Sequence, residues 1–343
     1  MSTVLVTGGT GYVASWAIVR LLEEGHDVRT TVRSLDKEEA VRAAVATLVD
    51  PGDRLGFHVA DLLDDRGWAQ ALDGVAYVLH VASPLGGADG DPETLIRPAR
   101  EGALRVLRHA VDAGVERVVM TSAAAAATPA DTTTPATTDE TLWTDPEGRQ
   151  LSVYQRSKVL AERAAWDYLA ERADNPGATT LTTILPGAVF GPIVSTASRG
   201  STDIVERMLT GRMPGLPDIR LEVVDVRDLV DLHLLAMTAP EAGGQRFLAV
   251  SGELMSLRDM GALLRESLGE TAGRVPTRRI PGFAIKVAAR FQEDMRTLAS
   301  ALGRRHQHSA AKARALLGWE PRPAARTILD TAQSLVEHGV VRA

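Results

Sequence analysis

The segment that most constrains this chain is TGGTGYVA, residues 7–14. It follows a short apolar run, TVLVT (3–7), and opens a stretch with helical spacing, YVASWAIVRLLEEG (12–25), that stops at Gly25. Gly8, Gly9 and Gly11 let the backbone turn sharply and approach a ligand. Thr10, Tyr12 and Val13 complete the turn, and Ala14 is small enough for helix and strand to pack closely. The start of the helix presents free N–H groups and partial positive charge to an anion. A glycine cluster with a strand before it and a helix after it is the fingerprint of a loop that cradles a dinucleotide pyrophosphate.

The rest of the first half repeats that rhythm. Strand-like runs occur at 27–33, 54–60, 76–82, 117–122 and 180–186, with helical patterns at 36–49, 66–72, 94–113 and from Tyr154 to about Glu171. Such alternation predicts an α/β fold, a doubly wound parallel sheet with helices on both faces. Beyond Pro186 the rhythm breaks into a Gly/Pro loop, LPGAVFGP (185–192). A helix near 201–211 follows; 219–224, 226–237 and 245–250 are candidates to extend the sheet, and the remainder is mostly helical. The segment TPADTTTPATT (128–138) reads as an exposed loop.

Composition removes several function classes. A net charge of −6 leaves no basic footprint for nucleic acid. With no cysteine there is no disulfide and no thiolate site, and no histidine has a partner motif for a metal. No apolar run approaches the ~20 residues of a membrane helix. The strand begins at Thr3 with no signal segment before it, so the cytoplasm is the expected compartment.

An acidic residue at the end of the second strand would bind a ribose 2′-hydroxyl. Here Arg33 takes that place, with Lys37 four residues on. A guanidinium grips a 2′-phosphate with two hydrogen bonds, so NADPH is the expected cofactor; Asp36 leaves NADH as a weaker one. Asp61, at the end of the third strand, either contacts the adenine or caps a turn. Further cofactor contacts are expected at Leu62, at Val81, Ala82 and Ser83, and at Pro186, Gly187 and Val189.

In SVYQRSKVL, Tyr154 and Lys158 lie four apart on a predicted helix and share one face. A phenol has an ordinary pKa of ~10, and a neighbouring ammonium favours the phenolate and pulls that value down. The phenol then serves as a proton donor in reduction or a base in oxidation.

Together these segments resemble the extended short-chain dehydrogenase/reductase family over nearly the whole chain. TGGTGYVA, TVRS, HVASP, VVMTS, YQRSKVLAERAAW and LPGAVFGP carry the resemblance. HVASP, DETLWTD (139–145) and KVLAERAAW (158–166) are most similar to the branch of dihydroflavonol 4-reductases, cinnamoyl-CoA reductases and microbial NADPH-dependent carbonyl reductases. The resemblance implies a Rossmann-like domain at 1–187 plus about 219–250, and a smaller, mostly helical substrate domain at about 188–218 and 251–343. It also implies reduction of an aldehyde or ketone, with Tyr154 as proton donor and Lys158 on the nicotinamide ribose. Relatives of this kind are monomers or homodimers.

The chain departs from the branch at one point. Where the branch reads TSS, with the second serine on the substrate carbonyl, this chain has Ala123. Ser122 is the expected catalytic replacement; the alternatives are Thr121, from deeper in the strand, or no side chain at all. The resemblance places Ser83 to Leu85, Ala124 to Ala126 and Gly187 to Phe190 around the carbonyl. Pro84, Leu85, Ala124, Ala125, Phe190 and Met208 are the candidate substrate residues, and their small or apolar character suits a hydrophobic carbonyl. His233 reads as structural, His306 and His308 as an exposed turn, and Asp225 and Asp228 as helix-start residues. Two other classes share these features. One is an NAD-dependent nucleotide-sugar epimerase or dehydratase; the other is a non-catalytic dinucleotide sensor.

Overall fold

The structure, a computed structural model, describes residues 1–84, 91–148, 151–172, 179–197, 199–290, 299 and 301–341. The first half alternates strand and helix as its hydrophobic pattern dictates. β1 (Thr3–Val6), β2 (Asp27–Val32), β3 (Leu55–Val59), β4 (Tyr77–His80) and β5 (Arg117–Thr121) alternate with α1 (Tyr12–Glu23), α2 (Glu38–Ala46), α3 (Trp68–Leu72) and α4 (Glu93–Asp112). A short β6 (Thr137–Thr138) precedes α5 (Val153–Ala170) and β7 (Thr180–Pro186). Then come β8 (Ala188–Phe190), α6 (Thr202–Leu209), β9 (Leu216–Pro217), β10 (Arg220–Asp225), α7 (Val226–Thr238), β11 (Arg246–Ala249), β12 (Leu254–Ser256) and α8 (Leu257–Leu268).

Seven strands form one sheet in the order β11-β7-β5-β4-β1-β2-β3, and every pairing is parallel. Parallel strands need crossover helices, and these cover both faces. β1 shows the consequence. Val4, Leu5 and Val6 are all fully buried. Val4 and Val6 pack in the cluster that holds Ala17, Ile18 and Leu229, from α1 and α7. Leu5 points to the opposite face, among Trp68, Val106 and Ala161 from α3, α4 and α5.

The C-terminal part differs from the sequence pattern in two respects. Residues 226–237 do not extend the sheet; they lie in α7, which Asp225 caps by accepting the Arg227 N–H at 2.9 Å. β10 leaves the large sheet and pairs with β8 and β12 in a three-stranded one. Only β11 joins the large sheet, at its edge beside β7. The smaller, more helical C-terminal region has its own core of Phe190, Val205, Met208, Leu216, Met260, Leu264 and Ile328. Among the described residues no helix is long and apolar enough to cross a membrane.

Candidate active site

β1 and β4 are neighbours, and the helices that follow them lie on opposite faces of the sheet. A crevice opens at the C-terminal ends of two such strands, where this topology binds ligands. The glycine loop forms one wall. Gly8 adopts φ 72°, and a Cβ there would stand 2.9 Å from the Cβ of Ala82 in the segment after β4. The Gly8 N–H donates to the Thr31 hydroxyl and the Gly9 N–H to the Thr31 carbonyl, both at 2.9 Å, which pins the loop to β2. The Thr7 hydroxyl accepts from the Ala82 N–H at 3.0 Å and shares a hydrogen bond with His80 Nδ1 at 3.0 Å. Tyr12 is buried, and its hydroxyl donates to the Gly191 carbonyl at 2.9 Å; Trp16 donates to the Pro192 carbonyl at 2.8 Å. These two bonds tie α1 to the loop that follows β8.

This loop fits a dinucleotide pyrophosphate. α1 starts at Gly11 with no side-chain cap and no acidic residue in its first turn. Its first N–H groups therefore have no partner within the helix and no carboxylate beside them. At the end of β2, Arg33 is exposed and pairs with no carboxylate among the described residues, while Lys37 pairs with Asp36 at 3.0 Å. Asp61 accepts the Leu63 N–H at 2.9 Å in a tight turn, and the Trp68 indole donates to the Asp61 and Asp64 carbonyls at 3.0 Å each. Val81, Ala82, Ser83 and Pro84 are half-buried at the end of β4; Leu85 lies outside the described residues.

The opposite wall is the start of α5. Ser152 caps it: its hydroxyl accepts the Gln155 N–H at 3.2 Å, and the Gln155 side chain accepts the Ser152 N–H at 2.9 Å. This reciprocal box fixes the first turn, which carries Tyr154. Tyr154 is 40% exposed, and Lys158, one turn on, is 5% exposed with its ammonium 5.9 Å from the centre of the Tyr154 ring. Among the described residues no carboxylate comes within ion-pair distance of Lys158. Burial pulls its pKa down to about 8, against the opposing pull of Glu162 one turn further along α5. The same ammonium helps burial to push His80 down to about 3, which sets Lys158 beside the end of β4. The phenol does not follow the expected direction, because burial pushes the Tyr154 pKa above its ordinary value.

The end of β5 resolves where its hydroxyls go. Ser122 is 2% exposed and donates to Glu162 Oε2 at 2.5 Å. Thr121 turns the other way and lies 2.7 Å from His233 Nε2. The Nδ1 of that imidazole sits 2.7 Å from the Leu229 carbonyl and must carry the proton, so Nε2 accepts from Thr121. Burial holds His233 neutral, with a pKa of about 4. Ala123 begins the turn Ala124–Ala127 in extended conformation and has no hydroxyl to offer. Ala124, Ala126 and Ala127 pack with Val159, Leu185 and Leu248, while Ala125 stays half-buried.

Glu162 and Arg246 are the residues that sequence reasoning missed. Glu162 is fully buried and receives Ser122, Thr183 at 2.7 Å and Arg246 Nε at 2.8 Å. Arg246 also donates to the Glu140, Leu142 and Ala126 carbonyls and stacks on Trp143, its guanidinium carbon 3.6 Å from the ring centre. The signal was present: an arginine inside the apolar strand run QRFLAV demands a buried carboxylate. A cavity of about 370 Å³ borders the other side of this pair, lined by Asp139, Glu140, Arg246 and Lys312 and by none of the cleft residues above.

The candidate substrate residues separate. Phe190 and Met208 are fully buried in the C-terminal core. Pro186 is buried, Gly187 and Val189 half-buried. A Cβ on Gly187 would meet the Glu222 carbonyl at 2.3 Å, so this loop lies directly against β10. His306 and His308 are not an exposed turn: they are 0% and 2% exposed. Gln307–His308 pairs in parallel with β6, and His308 bonds to Glu222 at 2.7 Å and to the Ala127 carbonyl at 3.1 Å. Asp228 accepts the Arg322 N–H at 2.6 Å, and burial raises its pKa to about 6.

A glycine loop at the switch point of a doubly wound parallel sheet, faced by a Tyr-x-x-x-Lys helix, defines an extended short-chain oxidoreductase. The chain belongs to the NAD dependent epimerase/dehydratase family, whose profile matches residues 4–249. It is 35% identical over 251 residues to cinnamoyl-CoA reductase 1 of Petunia hybrida, covering 72% of each chain. It is 34% identical over 279 residues to dihydroflavonol 4-reductase of Zea mays, covering 78% of this chain and 75% of that one. Its fold matches that of yeast methylglyoxal/isovaleraldehyde reductase Gre2 complexed with NADPH, at TM-score 0.81 and 27% identity, over 98% and 99% of the two chains. The chain is thus an extended short-chain family member related to plant and microbial reductases.

Proposed function

We propose that the chain reduces a hydrophobic aldehyde or ketone to its alcohol with NADPH. The observation that carries this reading is the pair on α5: a half-exposed phenol one turn from a nearly buried ammonium that no carboxylate of the described chain neutralises. When bound, the reduced dinucleotide supplies the hydride. Tyr154 gives its proton to the carbonyl oxygen; a phenol, whose ordinary pKa is ~10, is protonated until then. The phenolate left behind is stabilised by the Lys158 ammonium. Gly8, Gly9, Gly11 and the first turn of α1 would hold the pyrophosphate, Arg33 the 2′-phosphate and Lys158 the nicotinamide ribose. With Ser122 turned to Glu162 and Thr121 to His233, Tyr154 alone directs the carbonyl from this wall. Apolar surface at Pro84 and Ala125 suits a substrate without charge. The likeness to plant cinnamoyl-CoA and dihydroflavonol reductases supports the reaction class, and the yeast reductase of the same fold is complexed with NADPH.

The test is NADPH consumption with aromatic aldehydes, α-diketones and β-keto esters, the alcohol being identified by chromatography. Turnover is expected with NADPH and is slower with NADH, and Arg33→Ala narrows that preference. Tight NADPH binding with no carbonyl consumed, or NAD retained through purification, overturns the reading.

A further inference from the structure

The buried pair beneath the alanine turn has no part in the proposed proton transfer, yet it sits one helical turn from the residue that supports it. Glu162 follows Lys158 by four residues, so the two side chains rise from one face of α5. Three elements converge on the Glu162 carboxylate: Ser122 from the end of β5, Thr183 from β7 and Arg246 from β11. Trp166 on α5 adds a longer contact at 3.4 Å. Arg246 in turn reaches the Ala126 carbonyl at 3.1 Å, so the same pair holds the turn that follows Ala123.

We propose that Glu162, clamped by Arg246, Ser122 and Thr183, is a positioning residue whose carboxylate, one helical turn along α5 from Lys158, supports the ammonium beside Tyr154. The proposal rests on the reductase reading for its purpose but not for its test. The Glu162 carboxylate, paired with the Arg246 guanidinium in the interior, acts on Lys158 through protein rather than water. The other groups around Lys158 do not supply this. Tyr154 is neutral, and His80, at the end of β4, is held neutral by burial. α4, which packs along α5, sets Arg108 against Tyr168 near the far end of that helix. Glu162 is the group that counters the burial of Lys158.

The chain has only four lysines, Lys37, Lys158, Lys286 and Lys312, so ¹³C-lysine NMR can follow each ammonium directly. Lys158→Arg assigns the Lys158 signal. In Glu162→Gln the Lys158 titration midpoint is expected to fall by roughly one pH unit, since a unit charge about one helical turn away is removed. Glu162→Asp, which keeps the charge, should hold the midpoint near wild type. If Glu162→Gln does not fold, the double variant Glu162→Gln/Arg246→Met removes both buried charges and is read in its place, with a smaller fall expected. An unchanged midpoint in the folded neutral variant overturns the proposal. Turnover is assayed on the same samples. A wild type that titrates as expected but reduces no carbonyl sinks the reductase reading and leaves this inference standing; a wild type that turns over with an insensitive Lys158 does the reverse.

Discussion

Ser122 shows how one hydroxyl divides two accounts of this site. It lies beside Ala123, where the family resemblance leads one to expect a hydroxyl on the substrate carbonyl, yet its proton goes to Glu162 at 2.5 Å. Loss of a donor that stabilises the developing oxyanion costs roughly 10²–10³ in rate. Loss of a bond to a buried carboxylate costs stability instead, roughly 1.5–3 kcal/mol. Ser122→Ala is therefore expected to lower the unfolding free energy by that amount and kcat by less than about tenfold, a factor worth ~1.4 kcal/mol. A kcat loss of several hundredfold at unchanged stability returns Ser122 to the substrate. The glycines, Tyr154 and Lys158 were legible in the sequence because their spacing is local and their chemistry is tied to that spacing. Arg246 left a signal in QRFLAV, but its pairing with Glu162 did not, because the two stand 84 residues apart and meet only when β11 docks beside β7.

The elements of the first half follow from hydrophobic period, and the departures lie where tertiary packing overrides it. β10 carries the apolar pattern of a sheet strand, but it pairs with β8 and β12, and its Glu222 receives the strap at 304–308. Polar letters made RRHQHS look like solvent-facing turn. The strap instead lays Gln307–His308 along β6, and its histidines find acceptors in the interior. His306 on the strap, His233 on α7 and His80 on β4 are held neutral by burial, at about 4, 4 and 3 against an ordinary 6.5. Each binds its proton more readily when unfolded. Their stabilising contribution is fully present above pH 6.5 and is lost as the pH falls from 6.5 toward 4. Asp228 acts in the opposite sense: raised to about 6, it binds a proton in the fold before it would unfolded, and favours the fold as acid is added. The His58 pKa is lowered by burial like those of the three imidazoles, and that of Glu140 is raised like that of Asp228. Four groups against two predict a net loss of stability between pH 6.5 and 4, measured by urea unfolding across that range, and a shallower slope in His233→Gln. A flat profile contradicts the neutral burial of these imidazoles.

At the scale of the molecule, the chain joins a dinucleotide crevice to a region whose core is separate. The join runs through Tyr12 and Trp16 on α1, which bind the carbonyls of Gly191 and Pro192, and through Arg227, which bridges Asp225 and Asp330 at 2.7 and 2.6 Å. The glycine loop and the α5 pair are thus held on packed elements. In the proposed reaction Tyr154 delivers the proton to the carbonyl oxygen as the carbonyl is reduced. The most direct measurement is NADPH-dependent turnover of the best carbonyl by wild type and Tyr154→Phe side by side, with NADPH affinity determined for both. A general acid contributes roughly 10²–10⁴-fold. The account predicts a loss of that size in kcat with NADPH affinity within a few-fold of wild type. A phenylalanine variant that reduces the carbonyl at the wild-type rate contradicts it.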